Sequence, residues 1–242
     1  MNPLVEGPPC RRHKVRSVTR HTWFEVDDPD DDYEFTDDER AFASALSGHC
    51  VAWAPADVVG EVGRPDDWES LLAWVGLSER AEPHRRHLID LGVHLVGDRV
   101  RGDRLHSQLY ALPDRPHAWA LDATGSTDQL AQAAADWFRT VLDKPIVLYV
   151  WLHEGYAYAA RYAFADSGET LSQSYAERLA PHGQAAELTA AGHVHGKGWI
   201  QTIGLPTPSL YLHIRGDLDK GSVIPGVPAT TKRGPLPGLW YE

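Results

Sequence analysis

IVLYVWLHEGYAYAARYAFA, residues 146–165, decides the fold. Ile146 to Leu152 is apolar at every position, the pattern of a strand buried on both faces. His153, Glu154 and Gly155 then give a turn signal. From Tyr156 the side chains alternate, because a strand repeats every two residues. Tyr156, Tyr158, Ala160, Tyr162 and Phe164 point one way, and Ala157, Ala159, Arg161, Ala163 and Ala165 the other. The two segments predict a β-hairpin with an aromatic face and a small-residue face, the latter open to close approach by a helix.

Upstream lies the clearest helix. Ser126 or Thr127 caps it, with Gln129 as capping-box partner of Ser126. Leu130, Ala134, Trp137, Phe138, Val141 and Leu142 form a wide apolar stripe, and Pro145 forbids continuation. This helix is expected to lie across the hairpin that follows.

Further out, Thr36 and Glu39 have capping-box spacing before Phe42, Ala45 and Leu46, with Gly48 as the stop. Trp68, Leu71, Leu72 and Val75 make an i, i+3, i+4, i+7 stripe after Pro65, which predicts a second helix ending at Gly76. A short helix is expected from His84 to Leu91. Val93 to Val100 and Leu105 to Leu112 read as strands joined at Arg101, Gly102 and Asp103, with a third strand from His117 to Ala123. Asp166 and Glu169 open a predicted helix with Leu171, Tyr175 and Leu179 on one side and Pro181 at its end. Strand signals recur at Trp199 to Ile203 and Leu210 to Ile214. Val15 to Val26 is a candidate strand anchored by Trp23 and Phe24.

Helices flanking mostly antiparallel strands predict an α+β fold, a mostly antiparallel sheet with helices packed on it and a single core. Three segments follow: a charged N-terminal extension (1–35), an α+β domain (36–224) and a Pro/Gly-rich C-terminal tail (225–242).

The chain has 242 residues, 43% of them hydrophobic, and a net charge of −11. A chain this long buries roughly 70% of its unfolded surface. The charge is local. Arg11, Arg12, His13, Lys14, Arg16 and Arg20 make a basic start, and the ten acids between Glu25 and Glu39 nearly account for the net value. The overall acidity argues against nucleic acid as a partner. Met1 to Pro9 lacks the order of an export signal, and the longest apolar run falls far short of the ~20 residues that span a bilayer. A soluble cytoplasmic protein is expected, with no membrane partner and with Cys10 and Cys50 reduced.

The chain is rich in histidine (13) and tryptophan (9). His193 and His195, in GHVHGKG, share a face if the segment is a strand. With His213 from a neighbouring strand, or with His153 or Glu154, they are candidate metal ligands. Gly196, Lys197 and Gly198 mimic a phosphate loop, but no Ser or Thr follows the lysine. His153 and Glu154 begin a zinc-protease motif that fails at Ala157. No serine sits in a G-x-S-x-G elbow. Asp27, Asp28, Asp30, Asp31 and Asp32 lack calcium-loop spacing, but an acidic run steers a basic partner. The first functional expectation is therefore a non-catalytic accessory, adaptor or immunity-type protein that binds another protein, with Asp27 to Asp32 as the candidate contact. The alternatives are a metal-dependent or general-base enzyme using a histidine cluster, and a small-molecule binding module.

Overall fold

The computed structural model describes residues 23–26, 35–64, 70–81, 84–106 and 109–231. The chain runs α1 (Asp37–Cys50), β1 (Gly60–Gly63), β2 (Leu71–Ala81), β3 (His84–Val96), β4 (Arg99–Arg104), β5 (Leu121–Thr124), α2 (Thr127–Leu142), β6 (Ile146–His153), β7 (Tyr156–Phe164), β8 (Thr170–Tyr175), α3 (Gln184–Ala190), β9 (Val194–His195), β10 (Trp199–Ile200) and β11 (Leu210–Arg215). The fold is α+β. Strands β1 to β5 form a five-stranded meander, β11-β6-β7-β8 a four-stranded sheet, and β9 and β10 a small hairpin. The strand pairs within these sheets are antiparallel.

Both long helices begin at the boxes read from sequence. The Thr36 hydroxyl accepts from the Glu39 backbone, and the Glu39 carboxylate accepts from the Thr36 N–H at 2.8 Å. Arg64 adds bonds of 2.7 and 2.6 Å to the same carboxylate. Burial pushes the Glu39 pKa up, but the Thr36 and Arg64 bonds outweigh it and leave it lowered. In α2, Ser126 and Gln129 close the second box. His49 meets Asp128 at 3.1 Å, joining α1 to the start of α2.

The main core lies between the helices and the inner faces of both sheets. It joins Phe42 and Leu46 of α1, Leu130 and Phe138 of α2, Val75 and Val93 of the five-stranded sheet, and Leu148 and Phe164 of the hairpin. Trp23 and Phe24 are buried in it. Phe24 packs 5.4 Å from Phe138, and Trp23 donates to the Val58 carbonyl at 3.0 Å. The closest strands to α2 are β4 and β5. It meets the hairpin through Trp119, whose ring stacks on Trp137 and stands edge-on to Phe164. A second cluster covers the other face of the four-stranded sheet, where Val147, Tyr149, Trp151, Ala159 and Ala163 pack under segments after β8. At the end of the described chain, Tyr211 of β11 exchanges backbone bonds with Pro228 and Thr230.

Several expectations are corrected. The residues read as helices from Trp68 to Val75 and from His84 to Leu91 are β2 and β3 where described. Leu71, Ala73, Val75 and Leu77 enter the core at period two, and Leu71 and Val75 also fit a helical stripe. Pairing over long range decides between the readings: Gly76 faces Asp90 across the sheet and stops nothing. The turn placed at Arg101 to Asp103 lies instead at Gly97 and Asp98, between the paired Val96 and Arg99. Gly97 has φ +58°, the left-handed value a tight hairpin requires. Gly102 is inside β4 for a different reason: a Cβ there would stand 2.7 Å from Val93 Cγ1. Residues 109–112 are not a strand, and only Leu121–Thr124 of the next segment is. Ala165 to Ser167 form a turn, and Thr170–Tyr175 is an edge strand instead of a helix. Most of the proposed strand from Val15 lies outside the described residues, and Trp23 and Phe24 form a turn.

The hairpin forms as expected with one change. A β-bulge pairs Trp151 with Ala159 and Leu152 with Ala157, so Tyr158 falls out of alternation. Tyr158 therefore lies with the alanines, while Ala157 joins Ala160, Tyr162 and Phe164 in the main core. The helices share a core with the aromatic face, not the alanine face.

Candidate functional site

After α3 the chain makes an excursion built from local geometry. The His193 amide bonds to the Leu188 carbonyl at 2.9 Å, and the Gln201 amide returns to the His193 carbonyl at 2.9 Å. Between these bonds β9 and β10 pair His195 with Trp199 and Val194 with Ile200. Gly196 and Gly198, at φ +53° and +98°, carry the turn with Lys197 between them. The excursion has three roots. Leu188 is buried, the His193 ring lies against Gly204, and buried Thr202 gives its N–H and hydroxyl to Gln173 of β8 at 2.9 and 2.7 Å.

From that base two large apolar side chains face solvent. Trp199 is 76% exposed and Ile203 is 69% exposed. Exposed His195 and Lys197 flank the tryptophan. Single exposed apolar residues are ordinary, but an exposed tryptophan on a fixed hairpin, with an isoleucine four residues on, has the form of a contact anchor. Burying a tryptophan removes roughly 150–250 Å² from water, about 4–6 kcal/mol before the costs of association. The histidine and lysine add a basic rim.

The predicted metal ligands do not meet. His195 is exposed at the hairpin, and His193 is held over Gly204. His213 turns Nε2 to the carbonyls of Arg215 and Gly216 at 3.0 and 2.8 Å. It pairs with Val147, while His153 stands at the opposite end of the same strand. Six residues of strand separate them, roughly 20 Å. Among the described residues no group of three or more His, Cys, Asp or Glu side chains is placed to hold a metal ion. Asp27, Asp28, Asp30, Asp31 and Asp32 lie outside the described residues.

A polar cluster that no sequence pattern signalled joins the two sheets. Buried Asp103 of β4 accepts from the His117 backbone at 2.9 Å, from the Arg104 backbone at 2.7 Å, and faces His117 Nδ1 at 2.7 Å. His117 Nε2 lies 3.3 Å from Glu169, which precedes β8. Glu169 also accepts from Trp119 Nε1 at 2.8 Å, and Trp119 stacks on the His117 ring at 5.1 Å. Arg104 then bonds the carbonyls of Thr170 and Leu171, both at 3.0 Å. A buried carboxylate behind a histidine is also how catalytic imidazoles are oriented. Here Asp103 holds the Nδ1 side of the ring, and Glu169 Oε1 stands 3.3 Å from Nε2 without a hydrogen bond. The arrangement is a latch between sheets.

No protein-family model, curated protein or solved structure matches this chain. Its chemistry is therefore read from its own residues.

Two further groups have burial as their main feature. Burial, with a smaller effect of Asp136, pushes the Cys50 thiol up to about 12. The group is thus a thiol at neutral pH and not a nucleophilic thiolate. His94 faces the Ser70 hydroxyl at 3.0 Å through Nδ1 and the Tyr110 carbonyl at 2.9 Å through Nε2. Burial lowers its pKa, with a smaller push from Arg101, against the Tyr110 bond. The unfolded chain then takes up this proton at higher pH than the folded chain. The His94 contribution to stability is present above 6.5 and is lost as pH falls through the lowered folded value. Urea midpoints should therefore drop on acidification below 6.5, and His94→Asn should flatten that part of the profile. A His94→Asn slope equal to that of the unmodified protein would contradict this assignment.

Proposed function

We propose that this chain is a cytoplasmic, non-catalytic interaction protein, of accessory, adaptor or immunity type, that binds another protein. The observation that carries the reading is the exposure of Trp199 and Ile203 on an excursion fixed at Leu188, His193 and Thr202. Tryptophan leads the residues that dominate binding energy in protein interfaces. A fixed base lowers the ordering cost of association. The partner chemistry that fits is an apolar pocket with an acidic rim, meeting Trp199 and Ile203 in its floor and Lys197 and His195 at its edge. The acidic run from Asp27 to Asp32 is a second contact in the same reading, one that sets the association rate. A reducing cytoplasm suits Cys50, a buried free thiol.

The test is chemical crosslinking in the source cells with three forms of the chain: unmodified, Trp199→Ala with Ile203→Ala, and Asp27, Asp28, Asp30, Asp31 and Asp32 all replaced by asparagine. The unmodified chain should yield one specific adduct. The hairpin variant should lose it, and the asparagine variant should form it more slowly at low salt. An adduct of equal yield in the hairpin variant, or none with the unmodified chain, overturns the reading.

A further inference from the structure

The outer face of the four-stranded sheet carries a row of side chains in register: Tyr211 of β11, Tyr149 of β6, Arg161 of β7 and Gln173 of β8. Arg161 is the unusual member. It is only 8% exposed. Its guanidinium lies 5.4 Å from the Tyr149 ring centre and 5.5 Å from that of Trp151. Its Nε is enclosed and meets no acceptor. Among the described residues no carboxylate lies within ion-pair distance of it, although Arg64, Arg99 and Lys144 each have one.

A buried cation without a counter-charge is costly. The two rings return part of that cost through cation–π attraction. Neither ring supplies a hydrogen-bond acceptor to the enclosed Nε. Burial accordingly lowers the Arg161 pKa, with Tyr149 acting in the opposite direction. Beside Arg161, Gln173 spends its carbonyl oxygen on Thr202, which leaves the amide Nε2 as a donor on the same face. Both rings are themselves held: Tyr149 accepts from the Ile224 backbone at 3.2 Å, and Trp151 donates to the Pro206 carbonyl at 2.6 Å. A guanidinium held beside two aromatic rings without a counter-charge, with an amide donor next to it, is complementary to a planar anion.

We propose that Arg161 and Gln173 form a binding site for a small organic carboxylate, whose charge completes the unpaired guanidinium. This site is distinct from the Trp199 surface, although Gln173 serves both, since its carbonyl oxygen also holds Thr202 at the base of that excursion.

The test is NMR of the Arg161 Nε–H resonance, identified by its loss in Arg161→Lys. The full chain is titrated with sodium acetate against sodium chloride at matched ionic strength, with inorganic phosphate as a second anion. Acetate should move the resonance saturably and raise Tm, and chloride should not. Gln173→Leu should weaken the acetate response several-fold. Arg161→Met, where it folds, should abolish the rise in Tm. No saturable response to acetate, or a response to phosphate alone, overturns the proposal. So does a rise in Tm that persists in Arg161→Met. The titration of the unmodified protein decides even if the variants fail to fold.

Discussion

Replacing Phe138 by alanine lowers the unfolding free energy by about 3–5 kcal/mol, the range for emptying a buried phenylalanine site. Phe138 is fully buried where α2 meets the segment before α1. Its ring lies 5.4 Å from Phe24 and 4.9 Å from Trp137. The ring neighbours are themselves held by the Trp137 bond to the Trp119 carbonyl at 2.7 Å and by the main core around Phe24. The cavity therefore cannot collapse cheaply. A domain of ordinary stability has about 5–15 kcal/mol to lose, so the variant should be partly unfolded on mild heating. Urea titration of both proteins checks it. A loss below about 1 kcal/mol would mean that Phe138 does not occupy this site.

The second large effect is expected at Asp103. Asp103→Ala removes the acceptor for the His117 and Arg104 amides and for the His117 ring. Each N–H left without its acceptor costs about 1–3 kcal/mol when it stays out of water, so losing the one carboxylate that serves two amides and a ring nitrogen should cost about 3 kcal/mol or more. His117→Ala removes the ring but leaves Asp103 two backbone donors, so it should cost less. The cycle of the two single variants and the double variant should show strong coupling, since the groups form one network. The change should also be felt across the sheets. Hydrogen exchange should accelerate at Glu169 and Leu171, which are on the far side of the latch. Additive losses with unchanged exchange at those amides would show that Asp103, His117 and Glu169 do not act as one unit.

What could be read from the sequence follows from how local each signal is. The α1 and α2 starts were legible because a capping box closes within four residues, and Pro145 ends the following stretch by its own covalent geometry. The 146–165 hairpin was legible because an apolar run, a turn and an alternating run adjoin. Its bulge at Tyr158 was not, since a bulge is a property of the pairing and not of either strand. β2 and β3 read as helices in sequence because their apolar residues satisfy helical spacing as well as period two, and only their mutual pairing separates the two. Glycine was ambiguous for the same reason: Gly97 makes a turn by its φ, whereas Gly102 makes room for Val93.

The candidate sites divide in the same way. The GHVHGKG stretch carries a histidine pair in sequence, but its structural consequence is the hairpin that presents Trp199. Asp103, His117 and Glu169 come from a strand and two separate connecting segments, with no shared spacing. Arg161 looked like one polar residue on an alanine face. Its burial and its position over Tyr149 and Trp151 appear only when the sheet is assembled.

The most direct measurement of the central claim is the dissociation constant of the crosslinked partner, by calorimetry with purified components at fixed salt, for the unmodified chain and for Trp199→Ala. An anchor worth at least 2 kcal/mol weakens binding by about 30-fold or more when truncated. That loss should come with an unchanged urea midpoint, because the Trp199 side chain is exposed in the free protein. A dissociation constant within about twofold of the unmodified value, on the same conversion of free energy to affinity, would contradict the assignment of Trp199 as the anchor.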